Sequence, residues 1–130
     1  EGTSHHYRAP QSYARLESSL RERIEEACSA VSPPVYTGGS WTTDAPFRET
    51  ETAIERARSA DLLAVEMEAA GLYTFASVRE QPVVCFAHVT NRMGAAEDDF
   101  EKGAGHGSQD ALDVIDAAVR GWRSSRAGPV

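Results

Sequence analysis

The chain has 130 residues, 41% of them hydrophobic, the composition of a globular protein with one real core rather than of a disordered segment. Its formal net charge is −7 and its basic residues are dispersed, which argues against a nucleic-acid polymer or an anionic membrane as partner. No apolar run approaches the roughly 20 residues of a membrane span, and the first residues carry no signal-peptide pattern. Cys28 and Cys85 are too few for a disulfide framework. The expectation is a cytoplasmic protein with buried thiols.

In chain order, "EGTSHHYRAPQ" predicts a loop or strand end stopped by Pro10. Ser12 then predicts an N-cap. Tyr13, Leu16, Leu20, Ile24, Ala27, Cys28 and Val31 follow at spacings of three and four, an amphipathic helix ended by Pro33-Pro34. "VYTGGSW" predicts a strand and "TTDAPFRET" a polar loop. Residues 50–60 predict a more polar helix capped by Thr50, "LLAVEM" a buried strand, and "EAAGLYTFASVRE" a helix that follows it without a linker. Pro82 to Asn91, "PVVCFAHVTN", has the β-branched, doubly apolar character of a central strand. A Gly-rich acidic connection over 92–107 leads to a last helix capped by Ser108, with Leu112, Ile115, Ala118, Val119 and Trp122 as its core face. Residues 124–130 predict a frayed tail.

Helices alternate with strands, so the fold class is α/β: a three-layer α/β/α arrangement around a mixed, largely buried sheet, as one domain or half-domain over 1–130. Ligands in such folds bind beyond the carboxyl ends of strands. The polar interruptions "TTDAPFRE", "EMEAA" and "TNRMG" fall at those ends.

Glu66-Met67-Glu68 interrupts an apolar run, where an unpaired carboxylate is costly. One reading is a strand-to-helix junction in which Glu68 favours the helix N-terminus by up to about 1 kcal/mol. The other is a binding site: a carboxylate with two acceptor oxygens matches two adjacent hydroxyl donors, and Met67 offers the ring a soft apolar surface. "TTDAPFRET" divides similarly. It reads as a capped surface loop with Arg48 paired to Glu49 or Glu51, or as a recognition loop. Four dispersed histidines have no metal-site spacing, and no metal or cofactor is expected.

"VEMEAAGLYTFA" together with "WTTDAPFRET" resembles the uridine and purine nucleoside phosphorylase superfamily, which also contains nucleosidases. "EGTSHHY" resembles the segment after the phosphate-site half of that subunit, and "AHVTNR" its late strand facing the base. The resemblance implies that Met67 and Glu68 hold the ribose with support from Glu66, and that Phe47 stacks on the base while Arg48 hydrogen-bonds it. It places Asn91 and Arg92 at the catalytic end of the base. Purine-cleaving members have an aspartate there as general acid. An asparagine amide cannot donate a proton in that way, and the Asn-Arg pair leans toward a pyrimidine-type nucleoside.

The resemblance also implies N-glycosidic cleavage with phosphate as co-substrate, by an oligomer. The family's phosphate cradle lies in its first half, so the fold is expected to be incomplete at the N-terminus. The missing half would precede this chain or come from a partner polypeptide in a homo- or hetero-oligomer. The alternative is a non-catalytic homologue that binds a nucleoside or serves in assembly.

Overall fold

A computed structural model describes residues 4–32, 34–90 and 104–124. It is a mixed α/β structure. The chain forms two compact units, one of Glu1–Leu16 with Gly38–Ala87 and one of Glu17–Thr37 with His88–Val130.

The first unit is built on a β-α-β element. Strand β1 (Gly39–Thr42) pairs in parallel with β2 (Leu62–Glu66), and between them run a 3-10 turn (Pro46–Arg48) and helix α2 (Glu51–Ser59). Thr50 caps α2 as its sequence predicts, its hydroxyl accepting from Ala53 N–H at 3.3 Å. Asp61, at φ 53°, turns the chain from α2 into β2. The register is Ser40 opposite Ala64, Trp41 opposite Val65 and Thr42 opposite Glu66, with a shift between Gly39 and Ser40. A Cβ on Gly39 would fall 2.7 Å from Leu62 Cδ2, so the end of that leucine side chain would have to shift to admit one.

Helix α3 (Ala69–Arg79) follows β2 after two residues and lies against β1, while α2 lies against β2. At its far end Glu80 takes the left-handed conformation, φ 53°, and closes the helix. A 3-10 turn (Ser4–His6) packs on α3, where Tyr7 meets Phe75 edge-on at 5.7 Å and Arg8 donates to Ser77 Oγ at 3.0 Å.

The run from Pro82, expected to be the most regular strand, carries no ladder over its described residues, 82–90. A strand needs a partner as well as a composition: among the described residues the β1–β2 pair is the whole sheet. The run is held at Cys85, whose N–H donates to the Tyr73 hydroxyl at 3.1 Å.

The second unit is a helix pair, α1 (Ser18–Cys28) against α4 (Ser108–Ser124). Helix α1 starts later than its periodicity predicts. Glu17, not Ser12, caps it, with its carboxylate accepting Ser19 N–H at 2.8 Å and Leu20 N–H at 2.9 Å. These bonds, the Ser19 hydroxyl first, hold the Glu17 carboxyl below its usual range. Leu20, Ile24 and Cys28 are buried as predicted.

Helix α4 buries only part of the expected face, with Ala118 buried and Trp122 half-buried as predicted. Ala117 and Ala118 are buried with Val114 and Gly121 half-buried, while Leu112, Ile115 and Val119 are exposed. Small side chains let the two helix backbones approach closely: a Cβ on Gly121 would fall 2.6 Å from Ala27 Cβ and 2.9 Å from the Arg23 carbonyl oxygen. The large aliphatic residues do not fit so narrow a gap and stay outside. No described helix is long and apolar enough to cross a membrane.

Candidate functional site

Parallel pairing with Thr42 opposite Glu66 makes two chain segments leave the same end of the sheet. Beyond β1 runs Thr43 to Thr50, and beyond β2 runs Met67-Glu68 into α3. Thr43 extends the ladder by one bond, its N–H donating to the Glu66 carbonyl at 2.9 Å. This is the carboxyl end of the strands, where α/β folds carry their ligands.

The two carboxylates of "EME" do different work. Glu66 is half-buried and its four acceptor positions are filled from within. One oxygen accepts the Ser40 hydroxyl at 3.1 Å and the Thr42 hydroxyl; the other accepts the Glu68 N–H at 2.7 Å and the Ala69 N–H at 2.5 Å. Burial by itself would raise the Glu66 carboxyl. The bonds from Thr42, Ala69, Glu68 and Ser40 outweigh that and leave it below the ordinary glutamate range.

Glu66 is therefore the acceptor that satisfies the first N–H groups of α3. Glu68 occupies the N-cap position but makes no side-chain cap bond. Its carboxylate is exposed and meets only the neighbouring Met67 N–H, at 3.1 Å. Met67 beside it is 48% exposed. The helix-capping role expected of Glu68 belongs to Glu66 instead, and the Glu68 carboxylate stands exposed.

The loop after β1 is built on Thr43, buried at 3% exposure, whose hydroxyl donates to the Ala45 carbonyl at 3.0 Å. Arg48 pairs with Asp44, four residues before it, at 3.1 Å. That pair, by hydrogen bond from Arg48 first, holds the Asp44 carboxyl below its usual range. Phe47, on the 3-10 turn, is 87% exposed. Asn91 and Arg92 lie outside the described residues.

Two polar hydroxyls, Ser40 and Thr42, belong to this site and were not singled out from the sequence. Their signal was the alternation of the strand, which turns both toward one face two residues apart. Tyr73 and Cys85 lie behind the junction. Burial pushes the Tyr73 phenol and the Cys85 thiol up, and the Glu66 carboxylate adds to both shifts. A shallow depression along α2, lined by Thr52, Glu55, Arg56, Ser59 and Ala60, contains none of the residues the sequence points to.

The family model of the phosphorylase superfamily matches residues 1–120, nearly the whole chain. The chain belongs to the phosphorylase superfamily. No curated protein and no solved structure matches it. The phosphorylase superfamily is one of nucleoside phosphorylases and nucleosidases, generally enzymes, and its mixed α/β character agrees with the helices and parallel strand pair found here. The match extends across the β1 loop, the "EME" junction and residues 91 and 92, so every candidate site residue of this phosphorylase-superfamily chain falls within it.

Proposed function

We propose that this chain takes part in cleaving the N-glycosidic bond of a nucleoside, with Glu68 accepting hydrogen bonds from the ribose diol. The observation that carries this reading is the division of labour at the strand end. Glu66 meets the needs of the helix, so the Glu68 carboxylate is not required by the fold and stands exposed beside Met67.

In the proposed reaction a phosphate oxygen attacks C1′ as the C1′–N bond breaks, and the departing base takes the bonding pair. Positive charge develops on the sugar at the transition state, and a carboxylate held at the diol stabilises it while fixing the ring's orientation. Met67 packs on the sugar face. Phe47 stacks on the base and Arg48 hydrogen-bonds it. Asn91 and Arg92 hydrogen-bond the departing base, a chemistry suited to a pyrimidine, whose anion needs hydrogen-bond donors rather than ring protonation. Phosphate would bind a segment outside these residues, upstream or on a partner chain of an oligomer in the cytoplasm.

The test is calorimetry with uridine and inosine, followed by assay of ribose 1-phosphate release with and without phosphate. Glu68→Ala is expected to weaken nucleoside binding by about 100-fold, the loss of two hydrogen bonds to a charged acceptor. Unchanged affinity in that variant would remove the ribose-binding role. Binding without turnover in the wild type would instead favour the non-catalytic homologue, and neither binding nor turnover the assembly partner.

A further inference from the structure

The Thr42 hydroxyl occupies a place that its neighbours do not share. It donates to the Glu66 carboxylate and at the same time accepts the Ala70 N–H at 3.0 Å. The oxygen therefore links the end of β1 to the second residue of α3, across 28 positions of sequence. Ser40 donates to the same Glu66 oxygen but accepts nothing from the helix.

Three consecutive N–H groups at the start of α3 are satisfied from outside the helix. Glu66 takes the Glu68 and Ala69 N–H groups, and Thr42 takes the next, from Ala70. An N-terminal turn needs such acceptors wherever they come from. Glu68 stands at the N-cap with an exposed carboxylate able to turn back onto its own helix. When the acceptors are already in place, that inward turn gains nothing. When one is removed, an N–H becomes orphaned and the Glu68 carboxylate is the nearest charged acceptor in sequence.

We propose that Thr42 is a positioning residue for Glu68: its hydroxyl satisfies the Ala70 N–H and anchors Glu66, and so keeps the Glu68 carboxylate turned outward for a vicinal diol. This rests on the ribose-binding reading of Glu68. Thr42 touches no substrate in this scheme. Its effect on binding passes through the start of α3, and what it controls is discrimination between substrates with and without the second hydroxyl.

The experiment measures dissociation constants for uridine and 2′-deoxyuridine by calorimetry on the full chain, and takes their ratio. Thr42→Val preserves shape and removes both the donor and the acceptor. Thr42→Ser preserves both. Glu68→Gln reports on the underlying reading. The expected result is a wild-type ratio of about tenfold or more in favour of uridine, the worth of one hydrogen bond to a charged group. That ratio collapses toward one in Glu68→Gln and in Thr42→Val, and returns in Thr42→Ser. A loss of folded fraction alone would lower the apparent number of sites and leave the ratio unchanged.

If Glu68→Gln collapses the ratio and folded Thr42→Val keeps it, the positioning role is overturned while the ribose reading stands. If Glu68→Gln keeps the ratio, or the wild type shows none, both are overturned. Should the valine variant fail to fold, Thr42→Cys supplies a weaker donor and acceptor of similar size. An intermediate ratio there supports the proposal, and a wild-type ratio overturns it.

Discussion

The backbone N–H of Glu68 donates to the side chain of Glu66 at 2.7 Å, so one carboxylate of the "EME" triplet holds the other residue in place. With Ala69 N–H on the same oxygen at 2.5 Å and two β1 hydroxyls on the other, Glu66 ties β1, β2 and α3 together at a single point. A strand-end glutamate thus replaces the Ser, Thr or Asp that usually caps a helix from the residue next to it.

Glu66→Ala is expected to destabilise the protein by about 2–3 kcal/mol, since it orphans two N–H groups and removes the acceptor of two hydroxyls. Urea unfolding followed by circular dichroism measures it. Glu68→Ala is the contrasting substitution, within about 0.5 kcal/mol of wild type, because its exposed side chain caps nothing.

Acid should find the same residue. The folded Glu66 carboxyl lies below its unfolded value, so the native state favours the charged form and Glu66 adds stability above the unfolded glutamate pKa. That contribution is lost as pH falls through the folded value, in a window beginning near about pH 4.3 and extending below it. Unfolding midpoints of wild type and Glu66→Gln, measured from neutral pH downward, should converge at the acid end. Parallel curves would contradict the assignment.

Gly121→Ala should destabilise the helix pair by up to about 2 kcal/mol. Alanine favours a helix over glycine by about 1 kcal/mol, but overpacking costs about 1–3 kcal/mol where the neighbour is backbone and cannot move aside. The added Cβ would meet Ala27 at 2.6 Å and the Arg23 carbonyl at 2.9 Å. Thermal melting gives the sign directly: a stabilised variant would mean that α1 and α4 pack less closely than described.

Tyr73→Phe removes the acceptor of the Cys85 N–H and is expected to cost about 1–2 kcal/mol. Because no ladder holds residues 82–90, the Cys85 amide should lose much of its hydrogen-exchange protection in this variant while amides within α2 keep theirs.

Much of the fold was legible in the residues. Thr50 capping α2, Leu20-Ile24-Cys28 as the buried stripe of α1, and "LLAVE" as a strand are local matters, decided by a side chain within a few positions or by helical and strand periods. The start of α1 was misplaced because Glu17 reads as one more solvated acid until its two N–H donors are seen. The face of α4 was legible only in part: Ala118 is buried as predicted, but Leu112, Ile115 and Val119 stay exposed because interhelical distance favours the small Ala117, Ala118 and Gly121. The run after Pro82 has a strand's composition and no ladder, since pairing depends on what lies beside it.

The candidate site divides along the same line. Sequence alone determined that Glu66, Met67 and Glu68 interrupt an apolar run between strand and helix, and that this pattern resembles the superfamily to which the chain belongs. Which carboxylate serves the helix and which stays exposed was decided only by tertiary structure. The register that sets Thr42 against Glu66 arises from contacts between residues 24 apart, and it is this pairing that fills one carboxylate with donors and leaves the other exposed. Two glutamates of equal intrinsic chemistry become different groups because hydrogen-bond donors converge on only one of them.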